Sequence, residues 1–158
     1  MRLPSTIAML LKQSTDLLTK STTARLDAEI ILASVLKTNR TWLYINGNAV
    51  ISADDIKSYK KKIRERAKGL PVPYITGSCE FWSLPLIITP DVLIPRPETE
   101  LLVEMTLDIV RRSPSRLSIA DLGTGSGAVA LAIASETLNA RIAATDISFA
   151  ALQVAQRN

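Results

Sequence analysis

Residues 117–158 carry the segments "LSIADL", "GTGSG", "AVALAIASE", "RIAATD" and "SFAALQVAQRN" in close succession, and no other feature of the chain restricts its fold so strongly. A short apolar run meets glycine at every second position, then an apolar run at helical spacing. A second short apolar run follows, ending on an acid, before a last helical pattern that Ser148 is placed to cap. Alternation of this kind predicts parallel strands joined by right-handed crossovers, the start of a doubly wound α/β fold. Folds of that type use about five or more strands. Two are legible here, so the domain is expected to be incomplete in this chain.

Gly123, Gly125 and Gly127 fall where strand gives way to helix. Glycine lets the backbone turn tightly and approach a ligand with no Cβ between them, and the helix that follows offers free amide N–H groups. A phosphate-binding P-loop is excluded, because no Gly-Lys-Ser/Thr follows. A dinucleotide fingerprint can be laid on Gly123, Gly125 and Ala128, so the glycines by themselves leave the ligand open. Asp121 narrows it. Two residues ahead of the first glycine, a carboxylate would repel a diphosphate and suits a ligand bearing positive charge. S-Adenosylmethionine is such a ligand, with an ammonium and a sulfonium beside an adenosine. It needs a close-approach loop, negative charge near its methionine end, and an acid at the end of the next strand for the ribose hydroxyls. Asp146, ending "RIAATD", fills the last role. Either acid alone is read as well as a helix cap or a solvated strand end. With the three glycines, a nucleoside site accounts for all of them.

Upstream, residues 1–70 read as a small helical bundle. Ser5 is placed to cap a helix reaching about Thr19, and Thr22 or Thr23 to cap a second in which Leu26, Ile30, Ala33 and Leu36 recur on one side. "WLYI" suits a helical turn stopped by Asn46-Gly47. Ser52 with Asp55 forms a capping pattern, and Ile56, Tyr59, Ile63 and Ala67 make one stripe before Gly69 and Pro71 end the helix. Residues 71–95 hold five prolines among short β-favouring runs, "YITG", "CEFW" and "LIIT", and are expected to be an extended linker with a β-hairpin. From residue 96 to 158 the α/β part follows. It opens on a helix begun by Pro97, with Glu98 and Glu100 in the first turn, Arg111 and Arg112 in the last, and Leu101, Leu102, Met105 and Ile109 as the expected buried face.

Composition removes several classes. With no histidine and one cysteine, Cys79, the chain has no histidine-based triad or zinc site and no internal disulfide, and no metal is expected. No apolar run reaches the roughly 18 residues of a membrane span, and no signal-peptide cleavage pattern opens the chain, so a soluble cytoplasmic protein is expected. Net charge is +7 over residues 1–70 and −3 over residues 71–158. The basic half suits an acidic protein or a nucleic acid, or is a solvated lysine-rich helix face.

"VLIPRPETELLVE" at 92–104, "DLGTGSGAVALAIA" at 121–134 and "ATDISFAALQVAQRN" at 144–158 resemble the PrmC/HemK family, the peptide chain release factor N5-glutamine methyltransferases. "RLDAEIILASVL" at 25–36 and "YITGSCEFWSLPLIITPDVLIPRPETE" at 74–100 resemble that family's helical N-terminal domain and hairpin linker, and "EFWSLPL" followed by "IPRPETE" is the narrowest signature. One departure is Pro73, where the family pattern has glutamine. The resemblance implies a Rossmann-like domain that moves a methyl group from S-adenosylmethionine to the glutamine side-chain amide in the Gly-Gly-Gln loop of class I release factors. It implies that Gly123, Thr124, Gly125, Ser126 and Gly127 wrap the methionine end beside Asp121, that Asp146 holds the ribose, and that Arg96, Glu98 and Thr99 line the pocket. Helix-start chemistry around Pro97 accounts equally well for the neighbouring glutamates. The family's catalytic Asn-Pro-Pro-Tyr acceptor motif would fall beyond Asn158, so the chain by itself is expected to be inactive. No membrane partner is implied, and nucleic acid only indirectly, through the ribosome. Alternatives are a non-catalytic binding module and an amino-methyltransferase acting on nucleic acid, against which the linker signature argues. A dinucleotide-dependent oxidoreductase ranks last because of Asp121.

Overall fold

A computed structural model describes residues 6–158. They form two compact units, one ending at Thr76 and one running from Gly77 to Asn158. Among the described residues no helix is long and apolar enough to cross a membrane.

The first unit is helical: α1 (Ile7–Leu17), α2 (Ala24–Leu36), α3 (Arg40–Ile45), α4 (Ala53–Ala67) and α5 (Val72–Thr76). Side chains satisfy orphan amides at three of the helix starts. Thr6 Oγ1 accepts from Met9 N at 3.4 Å, Asn39 Oδ1 from Trp42 N at 2.8 Å, and Ser52 Oγ from Asp55 N at 3.1 Å. The Ser52 hydroxyl also donates to the Asp55 carboxylate, so the acid meets the capping side chain and not the Ser52 backbone N–H of a full capping box. Ser5, expected to cap α1, lies outside the described residues. One core gathers Ile7, Leu10, Ile31, Leu32, Leu43, Tyr59, Ile63 and Ile75.

Two expectations for this unit are corrected. In α2 the buried residues are Asp27, Ala28 and Ile31 to Ala33, whereas Leu26 is exposed and Ile30 and Leu36 are half-buried. The helix is apolar on most sides and meets α1, α3, α4 and α5, so its periodicity does not single out one stripe. "YITG" is not extended: Tyr74, Ile75 and Thr76 belong to α5. Pro71 just precedes that helix and Pro73 lies in its first turn, where a missing N–H costs no intrahelical bond. Ile75 is buried in the same core, and Lys62 Nζ donates to its carbonyl at 2.7 Å.

The second unit opens on an antiparallel hairpin, β1 (Ser78–Phe81) and β2 (Leu84–Ile87), with Phe81 opposite Leu84. Both turn residues, Trp82 and Ser83, have left-handed backbone, φ 52° and 58°. Such turns match the twist of the strands but usually need Asn-Gly. Here two acids hold the strained turn: Glu100 Oε1 accepts from Trp82 N at 3.0 Å, and Glu136 Oε1 accepts from Trp82 Nε1 at 2.8 Å. A 3-10 turn at Pro97–Thr99 leads into α6 (Glu100–Arg112). The expected buried face of α6 is corrected. Val103, Leu107 and Val110 are buried, while Leu101, Leu102, Met105 and Ile109 are between 53% and 63% exposed. Both rows are apolar at helical spacing, so periodicity does not say which one meets the core.

The rest follows the expected alternation: β3 (Leu117–Leu122), α7 (Ala128–Glu136), β4 (Ala140–Thr145) and α8 (Phe149–Arg157). β3 and β4 are parallel, with Leu117 opposite Ala140 and Leu122 opposite Thr145. Ser148 Oγ caps α8 by accepting from Ala151 N at 3.2 Å. Both strands therefore end beside the glycine loop.

In the helical unit, burial works to raise the Asp27 carboxyl, but hydrogen bonds from Ser21, Arg66 and Thr23 and the Arg66 charge outweigh it and hold it below the usual range. A carboxyl depressed by folding stabilises the fold above its unfolded pKa of about 4, and that stability is lost as pH falls through the lower folded value. Urea unfolding at pH 7 and pH 3 will show this loss for the native chain. Arg66→Met, which strands the buried carboxylate, will cost about 3 kcal/mol at pH 7 and shrink the difference between the two pH values.

Candidate functional site

The loop between β3 and α7 is built by backbone bonds reaching to the end of β4. Gly123 N and Thr124 N both donate to the Thr145 carbonyl, at 2.8 and 2.9 Å. Gly125 N donates to Asp146 Oδ2 at 2.8 Å, and Ser148 N to Asp146 Oδ1 at 2.9 Å. Each oxygen of the Asp146 carboxylate thus takes one amide, one from the loop and one from the start of α8. Amide hydrogen bonds, that from Ser148 foremost and that from Gly125 next, hold this carboxyl below its ordinary pKa.

Gly123, Gly125 and Gly127 all sit at positive φ, 77°, 55° and 83°, where a side chain is disfavoured. At Gly123 and Gly125 a Cβ would meet nothing within 4 Å. At Gly127 it would press on Ala155 Cβ and Leu131 Cδ1, both 3.3 Å away. The first two glycines therefore border open space, and the third packs α7 against α8. Thr124 and Ser126, between them, are buried. Thr124 Oγ1 donates to Asp121 Oδ2 at 2.7 Å, and Thr145 Oγ1 donates to the Asp121 carbonyl at 3.3 Å.

The structure thus brings together seven of the ten residues singled out from sequence: Asp121, the five loop residues and Asp146. Arg96, Glu98 and Thr99 lie on the 3-10 turn before α6, with Arg96 and Glu98 exposed. Thr99 N bonds the Arg96 carbonyl at 3.0 Å, and no hydrogen bond ties the three to the loop among the described residues. Sequence reasoning missed Asn158. Its Nδ2 donates to Ser126 O at 2.9 Å and to Ile87 O at 3.1 Å, while its Oδ1 accepts from Ile87 N at 2.7 Å. One side chain thereby fixes the floor of the loop to β2. A single asparagine at the end of α8 carries no periodicity or spacing signal that would have marked it.

Comparison with known proteins adds identity to this geometry. Residues 9–77 match the PrmC N-terminal domain, and residues 97–158 match the methyltransferase small domain. A release factor glutamine methyltransferase of Coxiella burnetii is 51% identical over 145 residues, which cover 92% of this chain and 52% of the relative. The chain belongs to the PrmC family. A relative of the same name from Xylella fastidiosa is 46% identical over 85% of the chain and 48% of its own length, and one from Escherichia coli is 41% identical over 94% and 53%. The chain spans about half the length of the curated relatives it matches. Membership in this family implies a methyl donor, and it places the glycine loop within the methyltransferase part of the chain.

The three glycines differ in a way that mutation will separate. Gly123→Ala meets only the backbone strain of left-handed φ and will cost about 1–2 kcal/mol. Gly127→Ala meets that strain together with the contacts to Ala155 and Leu131, and will cost more. Thermal melting of the two variants gives the order; equal costs would show that α7 and α8 give way freely.

Proposed function

We propose that the β3–α7 loop binds S-adenosylmethionine within a Rossmann-like domain, and that the whole protein methylates the glutamine side-chain amide in the Gly-Gly-Gln loop of class I release factors. The substrate class rests on the names of the relatives, and the cofactor on the site. The observation that carries the cofactor is the Asp146 carboxylate joined to the Gly125 N–H at the ends of two parallel strands. A carboxylate offers about four acceptor positions; Ser148 and Gly125 engage it most strongly and the Ile147 amide adds to them. The capacity that remains suits the hydroxyls of a ribose. The open space beside Gly123 and Gly125 suits a ligand lying close against the backbone. Asp121 adds negative charge for the cationic methionine end, and Thr124 orients it by donating to one oxygen. Glu98 is a second carboxylate for that end, and Arg96 and Thr99 complete the proposed wall from the turn before α6.

When bound, S-adenosylmethionine supplies a methyl carbon made electrophilic by its sulfonium. The residues of this loop hold and orient. An amide nitrogen is a weak nucleophile because its lone pair is delocalised, so catalysis depends on holding donor and acceptor in line. The proposed setting is the cytoplasm, with the release factor as protein partner.

Calorimetry with S-adenosylmethionine, and with its demethylated product, tests the cofactor reading. Binding to the 158-residue chain is expected, with Asp146→Ala about tenfold or more weaker, as for loss of a hydrogen-bond acceptor that carries charge. Absence of heat with either ligand overturns it. Labelled methyl transfer by the whole protein to a release factor, lost when the glutamine of the Gly-Gly-Gln loop is replaced, tests the substrate.

A further inference from the structure

Helix α4 carries a row of cations that form no ion pair among the described residues. Lys57, Lys61, Arg64 and Lys68 follow at spacings of four, three and four, with Lys60 beside them, and all five are exposed. On a helix these positions share one face, opposite the fully buried Tyr59 and Ile63. The row extends about 16 Å along the axis at 1.5 Å per residue. Among the described residues none of the five lies within 4 Å of a carboxylate. The ion pairs of this unit are Arg25 and Arg40 with Glu29, and Arg66 with Asp27. Asp54 and Glu65, the nearest acids in sequence on that side, pair with none of them. Like charges three and four apart destabilise a helix by tenths of a kcal/mol each. Arg64 and Lys68, at the end of α4, suit the helix dipole, but folding does not account for Lys57, Lys60 and Lys61.

We propose that this face docks a carboxylate-rich protein surface, best matched by an acidic helix with Asp or Glu at the same spacing. The inference goes beyond the cofactor and substrate reading and does not depend on it. Charge complementarity is the first argument, since residues 1–70 carry a net +7 and a single-sign field steers an oppositely charged partner into contact. The second concerns the class of partner. Binding to a nucleic-acid strand draws on aromatic platforms for the bases and on arginine forks. The only aromatic on α4 is Tyr59, which is fully buried, and Arg66 is committed to Asp27, Ser21 and the Leu70 carbonyl. What remains is a straight line of mostly lysine point charges on a convex helix flank. Carboxylates repeating at three and four residues on a facing helix match that line.

The test uses two fluorescent probes with the 158-residue chain: an alanine-based helical peptide bearing glutamates at positions 1, 5, 8 and 12, and a uridine oligonucleotide of equal charge. Fluorescence anisotropy is read at low ionic strength and at roughly 0.3 M salt, where exposed charges are screened beyond a few ångströms. The peptide is expected to bind more tightly than the oligonucleotide, with affinity falling as salt rises. The triple variant Lys57→Glu, Lys61→Glu, Lys68→Glu will weaken peptide binding about tenfold, the summed effect of three exposed pairs. The neutral triple variant to Gln, which retains the exposed surface without reversing charge, will show a smaller loss with an unchanged circular dichroism spectrum. Peptide affinity indifferent to both variants overturns the proposal, as does no peptide binding at low salt. Tighter binding of the oligonucleotide through the same lysines overturns it in favour of a nucleic-acid face.

Discussion

The hydrogen bond from Gly125 N to the Asp146 carboxylate ties the two parallel strands together at their carboxyl ends, and the candidate site follows from it. With that bond, and with Gly123 and Thr124 both held by the Thr145 carbonyl, three successive amides are aimed at the end of β4. The bond also settles where the next helix starts, because the second oxygen of the same carboxylate takes the Ser148 amide. One acid thus orders a loop and a helix start while keeping acceptor capacity toward the open side. Positive φ at all three glycines is the conformational cost of that arrangement, and it explains why the pattern demands glycine.

Elements whose signal is local and chemical were legible in the sequence. The alternation from Leu117 onward, the Ser52 and Ser148 caps, and the clustering of Asp121, the glycines and Asp146 follow from short-range rules of turn, cap and period. Elements decided by packing were not. Helix α6 carries two apolar rows at helical spacing, and tertiary packing, against α7 among other elements, decides that Val103, Leu107 and Val110 go inward. The run "YITG" has β-favouring side chains, yet the prolines around it suit a first helical turn, and Ile75 finds a place in the helical core. Propensity is a weak prior that tertiary contact overrides. Trp82 is the sharper case. Its left-handed backbone goes against the preference of a bulky residue, and it is held by Glu100 and Glu136, far from it in sequence. A single sequence carries no mark of such a bond.

The helical unit rests on a comparable device of opposite character. Asp27 is buried and would be costly if left alone, yet Ser21, Thr23 and Arg66 reach it from the turn before α2 and from α4. Asp146 is half-buried and receives backbone amides; Asp27 is buried and receives side chains. The first arrangement leaves lone pairs facing outward, as a binding site requires. The second spends them inward, as a structural tie between helices requires.

That contrast bears on how a carboxylate near a helix start is to be read. From sequence alone, Asp55, Asp121 and Asp146 all admit the bland reading of a cap. Asp55 bonds the Ser52 hydroxyl that caps α4, and Asp27 is consumed by its neighbours. Asp121 and Asp146 differ because their partners lie on the loop itself, Thr124 for one and Gly125 for the other. Both acids are thereby held at the loop whose first two glycines border open space. The proposed preference for a cationic nucleoside rests on that pair, because a diphosphate would bring charge that both acids oppose.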